Sequence, residues 1–380
     1  MVSELFALAV AVAACAVLTA LLIRLAPRWG LVDHPQGRKD HAQPTPVVGG
    51  IAIFVALALA ASVWPQLDST PWFLLLAAAL LVIMGVVDDL VDLNWKPRIG
   101  AQALAAGLIA LGGGAVLVRL GDSPSMPLSL GLLALPVTVF AVVGIINAIN
   151  MADGADGVAG VLVLASLAMI AALAVGVAPE VHEVSLLAAG ALVGFLWFNL
   201  RRPGQSRART FMGNSGSALL GLIVAWAAIR LTHAPGSPVT PALAPWLVAV
   251  PIADCITLIV RRVVRGRSPF KADRDHLHHL LLDRGWSVSG LVIFALVYHL
   301  LAAAMGYLLW RSGVPDPGLI GGFLLLIALH YAGTGWLGRV RLQAEQQRAT
   351  EFDSVELIAP VAIVGKLPAR AVDWVDGPKA

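Results

Sequence analysis

Residues 5–23 read L-F-A-L-A-V-A-V-A-A-C-A-V-L-T-A-L-L-I, with no charged side chain in the run. At about 1.5 Å of rise per residue, a helix of this length covers the roughly 30 Å hydrocarbon core of a bilayer. The run is continuous rather than alternating, so it reads as a helix and not as a strand of a membrane barrel. Comparable runs follow at 47–63, 72–87, 99–118, 131–149, 158–177, 184–200, 216–232, 244–260, 288–310 and 317–336. The expected fold is therefore an all-α polytopic membrane protein with about 11 transmembrane helices.

Composition agrees. The 380 residues are 58% hydrophobic and only 13% charged, with a mean hydropathy of +0.83. A soluble domain carries about 25% charged residues, and half that number cannot clothe a globule in water. The net charge of +3 is small, and no nucleic-acid partner is expected. Cys15 and Cys255 both sit inside apolar runs without metal-ligand spacing, so they read as small buried hydrophobes, and no disulfide framework is implied.

The cationic residues orient the chain. Of the 26 Lys and Arg, only Arg119, Arg230 and Arg311 fall in the even-numbered loops. The rest gather in the odd-numbered loops and the tail, which the positive-inside rule places in the cytoplasm. An odd number of spans follows, with the N-terminus periplasmic and the C-terminus cytoplasmic. Glu4 precedes the first run while Arg24 and Arg28 follow it, which fits an uncleaved first helix rather than a signal peptide. Residues 1–336 are expected to form one transmembrane domain with polar loops at 24–46, 88–98, 150–157, 201–215 and 261–287. Residues 337–380 read as a cytoplasmic tail of unassigned role. No internal repeat is visible.

Polar residues crowded at membrane edges are costly, so their clustering points to function. Five clusters occur, all in the odd-numbered loops. The first, D-H-P-Q-G-R-K-D-H at 33–41, offers Arg38, Lys39 and His41 to a phosphate, and Gly49–Gly50 beyond it allow a close backbone approach. The second, G-V-V-D-D-L-V-D at 85–92, holds Asp88 and Asp89, with Asp92 on the face of Asp88 if the segment is helical. Three carboxylates together call for Lys96, Arg98 or a hard cation such as Mg²⁺. The third, N-A-I-N-M-A-D-G-A-D-G at 147–157, spaces Asn147, Asn150, Asp153 and Asp156 by three and contains no cation of its own. The fourth, R-T-F-M-G-N-S-G-S at 209–217, starts a helix whose amides could meet an anion. The fifth, 261–279, combines Arg261, Arg262 and Arg265 with His276, His278 and His279. Without a nearby cysteine, these histidines suit phosphates better than zinc. Carboxylates, an anion-binding turn and basic residues on one membrane face suit phosphoryl transfer from a nucleotide-borne group to a membrane-borne acceptor.

In this order the clusters resemble the polyprenyl-phosphate N-acetylhexosamine-1-phosphate transferases, in particular the branch that starts O-antigen and related glycans. V-D-D at 87–89, N-x-x-N-M-x-D-G-x-D-G at 147–157 and S-P-F-x-x-D-R-x-H-L-H-H at 268–279 carry the likeness, which runs from about Asp33 to Trp286. The resemblance implies transfer of HexNAc-1-phosphate, GlcNAc-1-phosphate first, from the UDP-sugar to undecaprenyl phosphate with Mg²⁺ or Mn²⁺, at the cytoplasmic face of the bacterial inner membrane. It implies Asp88, Asp89 and Asp156 as catalytic residues, and Asp89, Asp153, Asp156 and Asn214 around the metal. Arg38, Lys39, His41, Asn147, Asn150, Asp153, Arg265, His276, His278 and His279 would bind substrate.

One departure stands out: where the family pattern is F-M-G-D-x-G, with the aspartate a metal ligand, this chain has Asn214. A lowered metal affinity, or a low-activity homologue that binds polyprenyl phosphate, is the corresponding expectation. Other hexosamines (QuiNAc, FucNAc, GalNAc) remain open, as does a homodimer. A transporter is disfavoured because the acidic groups lie at one face and not at the bilayer midplane.

Overall fold

The computed structural model describes residues 2–34, 43–62, 71–121, 129–269 and 274–358. Arg38, Lys39 and His41 lie outside these described residues. Twelve α-helices are present among them: α1 (Val2–Trp29), α2 (Gly49–Ser62), α3 (Pro71–Val91), α4 (Trp95–Gly107), α5 (Ala134–Ala152), α6 (Val158–Ala174), α7 (Pro179–Asn199), α8 (Gly213–His233), α9 (Ala249–Val264), α10 (Leu277–Leu282), α11 (Val288–Arg311) and α12 (Asp316–Ile358). The only sheet among the described residues is a two-stranded antiparallel ribbon, β1 (Val32–Asp33) with β2 (Thr45–Pro46).

Among the described residues, eight helical segments are long and apolar enough to cross a bilayer, while Gly49–Ser62 and Val158–Ala174 are apolar but shorter. The protein is thus an all-α multi-pass membrane protein. The run expected at 99–118 differs most from its reading. Its helix begins at Trp95, capped by the Asn94 side chain, and continues through a π-turn at Leu108–Gly112. It stops where Gly114 adopts a left-handed backbone (φ +66°). The run at 244–260 also divides, because Pro241 and Pro245 favour a 3₁₀ turn over Pro241–Val248 before α9 starts. At the C-terminal end, α12 continues unbroken across residue 337, so the last apolar run and the start of the tail are one helix.

The helix α8 is the axis of the bundle. It is apolar all round and almost wholly buried, which is the signature of a central helix. It packs against α2, α3, α5, α6 and α7. The outer helices α1 and α12 expose most of their apolar surface, as lipid-facing helices should.

Close packing at the start of α8 depends on small residues. A Cβ on Gly50 of α2 would lie 2.3 Å from the backbone N of Gly216, and one on Gly85 of α3 would lie 2.3 Å from Cα of Ser215. Both neighbours are backbone and cannot yield, so glycine is what allows α2 and α3 to touch α8. The β2 segment locks in beside them: Phe211 N donates to Pro46 O (2.8 Å), and the Gly49 and Gly50 amides donate to Phe211 O and Met212 O (both 3.1 Å).

Overpacking at such a contact costs about 1–3 kcal/mol. Gly85→Ala should therefore lower the Tm of the purified protein by roughly 2–10 °C. Gly144→Ala, in α5 with no atom within 4 Å of its Cβ, should hold or raise it. Equal melting curves for the two variants would refute this account of the bundle axis.

Candidate active site

The five polar clusters converge on one cavity of about 890 Å³, lined by residues that include Asp33, His34, Asp88, Asp89, Asp92, Asn150, Asp153, Asp156, Arg201, Asn214 and His279. The C-terminal ends of α3 and α5 and the N-terminal end of α8 deliver most of them.

Asp88 and Asp89 close α3. The helix ends at Val91, and Asp92 takes a left-handed backbone (φ +51°). Asp92 therefore does not share a helical face with Asp88 as the spacing suggested; it terminates the helix instead. Asp88 is buried. Its Oδ1 accepts from Leu93 N (2.9 Å) and its Oδ2 pairs with Arg98 Nε (3.3 Å). Asp89 faces the start of α8. Its Oδ1 accepts from both the backbone N and Nδ2 of Asn214 (3.0 Å each). The amide at the N-terminus of α8, expected to meet a ligand anion, thus meets the protein's own carboxylate. The other oxygen of Asp89, Oδ2, is buried without a hydrogen-bond partner among the described residues.

Asn147 and Asn150 both lie on α5, with different duties. Asn147 Nδ2 donates to Gln102 Oε1 (2.7 Å) and to Val143 O (2.8 Å), tying α5 to α4. Asn150 is a hub: its Nδ2 donates to Asn214 Oδ1 (3.0 Å) and Ser217 Oγ (2.8 Å), and its Oδ1 accepts from Arg98 Nη2 (3.2 Å). Asn150 lines the cavity and Asn147 does not.

Asp153 and Asp156 follow α5 in a turn that Gly157 closes with φ +82°. Asp156 is not left without a cation. Arg201, 45 residues onward, places Nε 2.6 Å from Asp156 Oδ2, and Ala208 N donates to the same oxygen (3.1 Å). Nothing in the local spacing announced Arg201. Among the described residues, no Lys, Arg or His pairs with Asp153. Burial, then the charges of Asp89 and Asp156, pushes its carboxyl up to about 7.

The histidines form a stack. The rings of His276 and His278 lie 5.1 Å apart, and those of His278 and His279 lie 4.3 Å apart. His278 is seated on the turn after α5, where a Cβ on Gly154 would approach its Nε2 to 2.0 Å. Burial above all, then the neighbouring His276 and His279, pushes His278 down to about 3, so it is a neutral spacer at pH 7. His279 alone of the three lines the cavity. Arg265 pairs with Asp275 and does not line it.

The four aspartates thus divide. Asp88 and Asp156 are neutralised by arginines, whereas Asp89 and Asp153 are not. No three His, Cys, Asp or Glu groups among the described residues already converge on a metal position. Asp89, Asp153 and Asn214 nevertheless all line the cavity, and their oxygens are of the type that could hold a hard divalent cation.

A membrane bundle with a one-faced acidic cavity of this kind is a setting for enzymatic phosphoryl chemistry on a lipid-borne group. The profile of glycosyl transferase family 4 matches residues 71–232. The chain is 33% identical to the undecaprenyl-phosphate alpha-N-acetylglucosaminyl 1-phosphate transferase of Haemophilus influenzae, over 87% of this chain and 96% of that protein. It is 32% identical to the enzymes of the same name from Pasteurella multocida (87% and 96%) and Escherichia coli K12 (81% and 84%). The chain belongs to this family of polyprenyl-phosphate N-acetylhexosamine-1-phosphate transferases, and it is a glycosyl-1-phosphate transferase.

Asn214→Asp would set a carboxylate where an amide now donates 3.0 Å to Asp89. Losing that donor and adding a like charge should destabilise the metal-free protein by about 1–3 kcal/mol. Added Mg²⁺ should reverse the loss at a lower concentration than it stabilises the parent protein. Thermal shift against Mg²⁺ tests this; superimposable titrations would count against a cation beside Asn214.

Proposed function

We propose that the protein transfers GlcNAc-1-phosphate from UDP-GlcNAc to undecaprenyl phosphate, releasing UMP and forming undecaprenyl-diphosphate-GlcNAc, the initiating step of O-antigen or a related cell-envelope polysaccharide. The observation that carries this reading is that Asp89 and Asp153, in the wall of an 890 Å³ cavity, have no cationic partner among the described residues. Two such carboxylates repel in a medium of low dielectric, and a divalent cation held by them would remove the conflict. The relatives are named for the same transferred group and the same acceptor, which supports this reading.

Asp89 and Asp153, with Asn214, are the residues that would hold Mg²⁺ or Mn²⁺. Bound there, the ion would offset charge on the donor diphosphate. Asp88 is held by Arg98 at the end of α3. Asp156 and Arg201 brace the turn that presents Asp153. His279 faces the cavity from α10 and suits a phosphate oxygen, and Arg38, Lys39 and His41 of the first loop are assigned the same duty.

An oxygen of the lipid phosphate attacks the phosphorus that carries the sugar; a new P–O bond forms and the bond to UMP breaks. A phosphate monoester has a second pKa near 6, so the nucleophile is mostly dianionic at pH 7 and needs little base catalysis. Positioning and charge neutralisation supply most of the rate, as in phosphoryl transfer generally. Direct attack is therefore favoured over an aspartyl-phosphate intermediate.

The protein is assigned to the bacterial cytoplasmic membrane with eleven crossings, the N-terminus periplasmic and the cavity at the cytoplasmic face. Support comes from the bias of Lys and Arg toward the loops that build the cavity. Residues 1–336 carry the reaction, 337–380 form a tail, and the reading needs only one copy of the chain.

Purified protein with undecaprenyl phosphate, UDP-GlcNAc and Mg²⁺ should release UMP. Omitting the lipid, adding a chelator or introducing Asp89→Ala should each reduce the rate by at least about 10³-fold. UDP-GalNAc, UDP-QuiNAc and UDP-FucNAc run in parallel identify the sugar. No UMP from any of them at raised Mg²⁺ or Mn²⁺ would refute the assignment. With UDP-sugar alone, ³²P-labelled in its diphosphate, no label should remain on the denatured protein; a stable phospho-protein would replace direct attack by a two-step route.

A further inference from the structure

The histidine cluster is anchored from inside the bundle by a residue that lies in none of the five polar clusters. Asp254, on α9 about 15 Å before that helix ends, is buried and accepts hydrogen bonds from three donors. Its Oδ2 faces His276 Nδ1 (3.0 Å), and its Oδ1 faces Leu277 N (3.2 Å) and His330 Nε2 of α12 (3.2 Å). On its far side, His330 Nδ1 lies 3.2 Å from the Tyr298 hydroxyl of α11.

An ionised carboxylate only accepts. His276 must therefore carry its proton on Nδ1 and His330 must donate from Nε2. Neutral His330 then accepts from Tyr298 at Nδ1. The whole chain of bonds is satisfied with both imidazoles neutral and Asp254 charged. A buried carboxylate in a membrane-spanning helix is expensive, and here its bonds converge on the first two residues of the H-L-H-H segment. His276 stacks on His278, which sits on Gly154 beside Asp153, and His279 on the next turn lines the cavity.

We propose that Asp254 is the positioning residue of the histidine cluster: it holds His276 in the Nδ1-protonated tautomer and pins the start of α10 so that His279 faces the substrate cavity. His330 orients Asp254 in turn. This rests on the transferase reading of the cavity.

The test is a double-mutant cycle in the full-length protein, reading kcat and KM for UMP release from UDP-GlcNAc. Asp254→Asn keeps the size of the side chain and should lower kcat about 10- to 100-fold, the usual loss when the partner of a functional histidine is removed, with KM changed less than about threefold. On a His276→Gln background the same substitution should cost no more than about a further threefold, because Asp254 acts through His276. Wild-type kcat in Asp254→Asn, or losses that multiply, would overturn the proposal. If Asp254→Asn does not yield folded protein, His330→Ala takes its place in the cycle with the same two outcomes.

The ¹⁵N spectrum of histidine-labelled protein separates this proposal from the reaction itself. An Nδ1-protonated signal that His276→Gln removes and Asp254→Asn displaces supports the positioning role even if the wild type releases no UMP, a result that would sink only the transferase reading. A histidine spectrum untouched by Asp254→Asn overturns the positioning role whether or not the protein is active.

Discussion

The bond pair from Asn214 to Asp89 is the contact on which the site's geometry depends. It joins the end of α3 to the start of α8, the helix against which most of the bundle packs. Backbone N and side-chain Nδ2 grip the same carboxylate oxygen, so the carboxylate cannot rotate without losing both donors. Its second oxygen is then committed to one direction, beside Gly213. A Cβ on that residue would lie 2.6 Å from the oxygen, and the backbone there is left-handed (φ +73°), so glycine is required twice over. The amide of Asn214 also accepts from Asn150, which brings α5, and with it Asp153, into the same constellation.

Electrostatics then sorts the aspartates. In a medium of low dielectric, Asp88, Asp89, Asp153 and Asp156, four of the six aspartates that line the cavity, cannot all remain charged and unpaired. Arg98 and Arg201 each take one of them. Arg98 comes from the first turn of α4 and Arg201 from the segment after α7, and each pairing is tied to a further group: Arg98 reaches Asn150 of α5, and the carboxylate held by Arg201 also receives Ala208 N. What is left is a small, defined excess of negative charge at Asp89 and Asp153. Burial, reinforced by the charges of Asp89 and Asp156, raises the affinity of Asp153 for a proton.

The apolar runs made the all-α membrane architecture legible, because hydrophobic length is a property of single segments. The boundaries shifted where local chemistry intervened, at Asn94, Gly114 and the two prolines before α9. The aspartates and asparagines of the site were legible for a different reason, since polar residues spaced at three or four on an apolar helix have no solvent to face. Their division of labour was not. Arg201 is 45 residues from Asp156, and the regular spacing of Asn147 and Asn150 conceals that one faces α4 and the other the cavity. Likewise the Gly/Ser turn at 213–217 does begin a helix, but its leading amide is already occupied by Asp89. Such assignments depend on which helices become neighbours, and that information is spread over the whole chain.

The outer helices raise a related question of what holds lipid-facing elements to the core. Lipid tails are as apolar as leucine, so apolar contact alone gives α11 and α12 little reason to dock. Polar side chains supply part of the difference: Arg261 of α9 donates to Tyr331 O (3.1 Å) and Thr334 Oγ1 (3.0 Å), and Arg284 reaches Leu337 O. Asp254 and His330 belong to this set, yet they differ from it in one respect. The arginine bonds end on α12 itself, whereas the bonds of Asp254 run on to His276 and the start of α10. The docking of a lipid-exposed helix and the placement of a cavity-lining histidine therefore share one carboxylate. Helix packing at the membrane face and chemistry at the polar face are, at that residue, a single interaction.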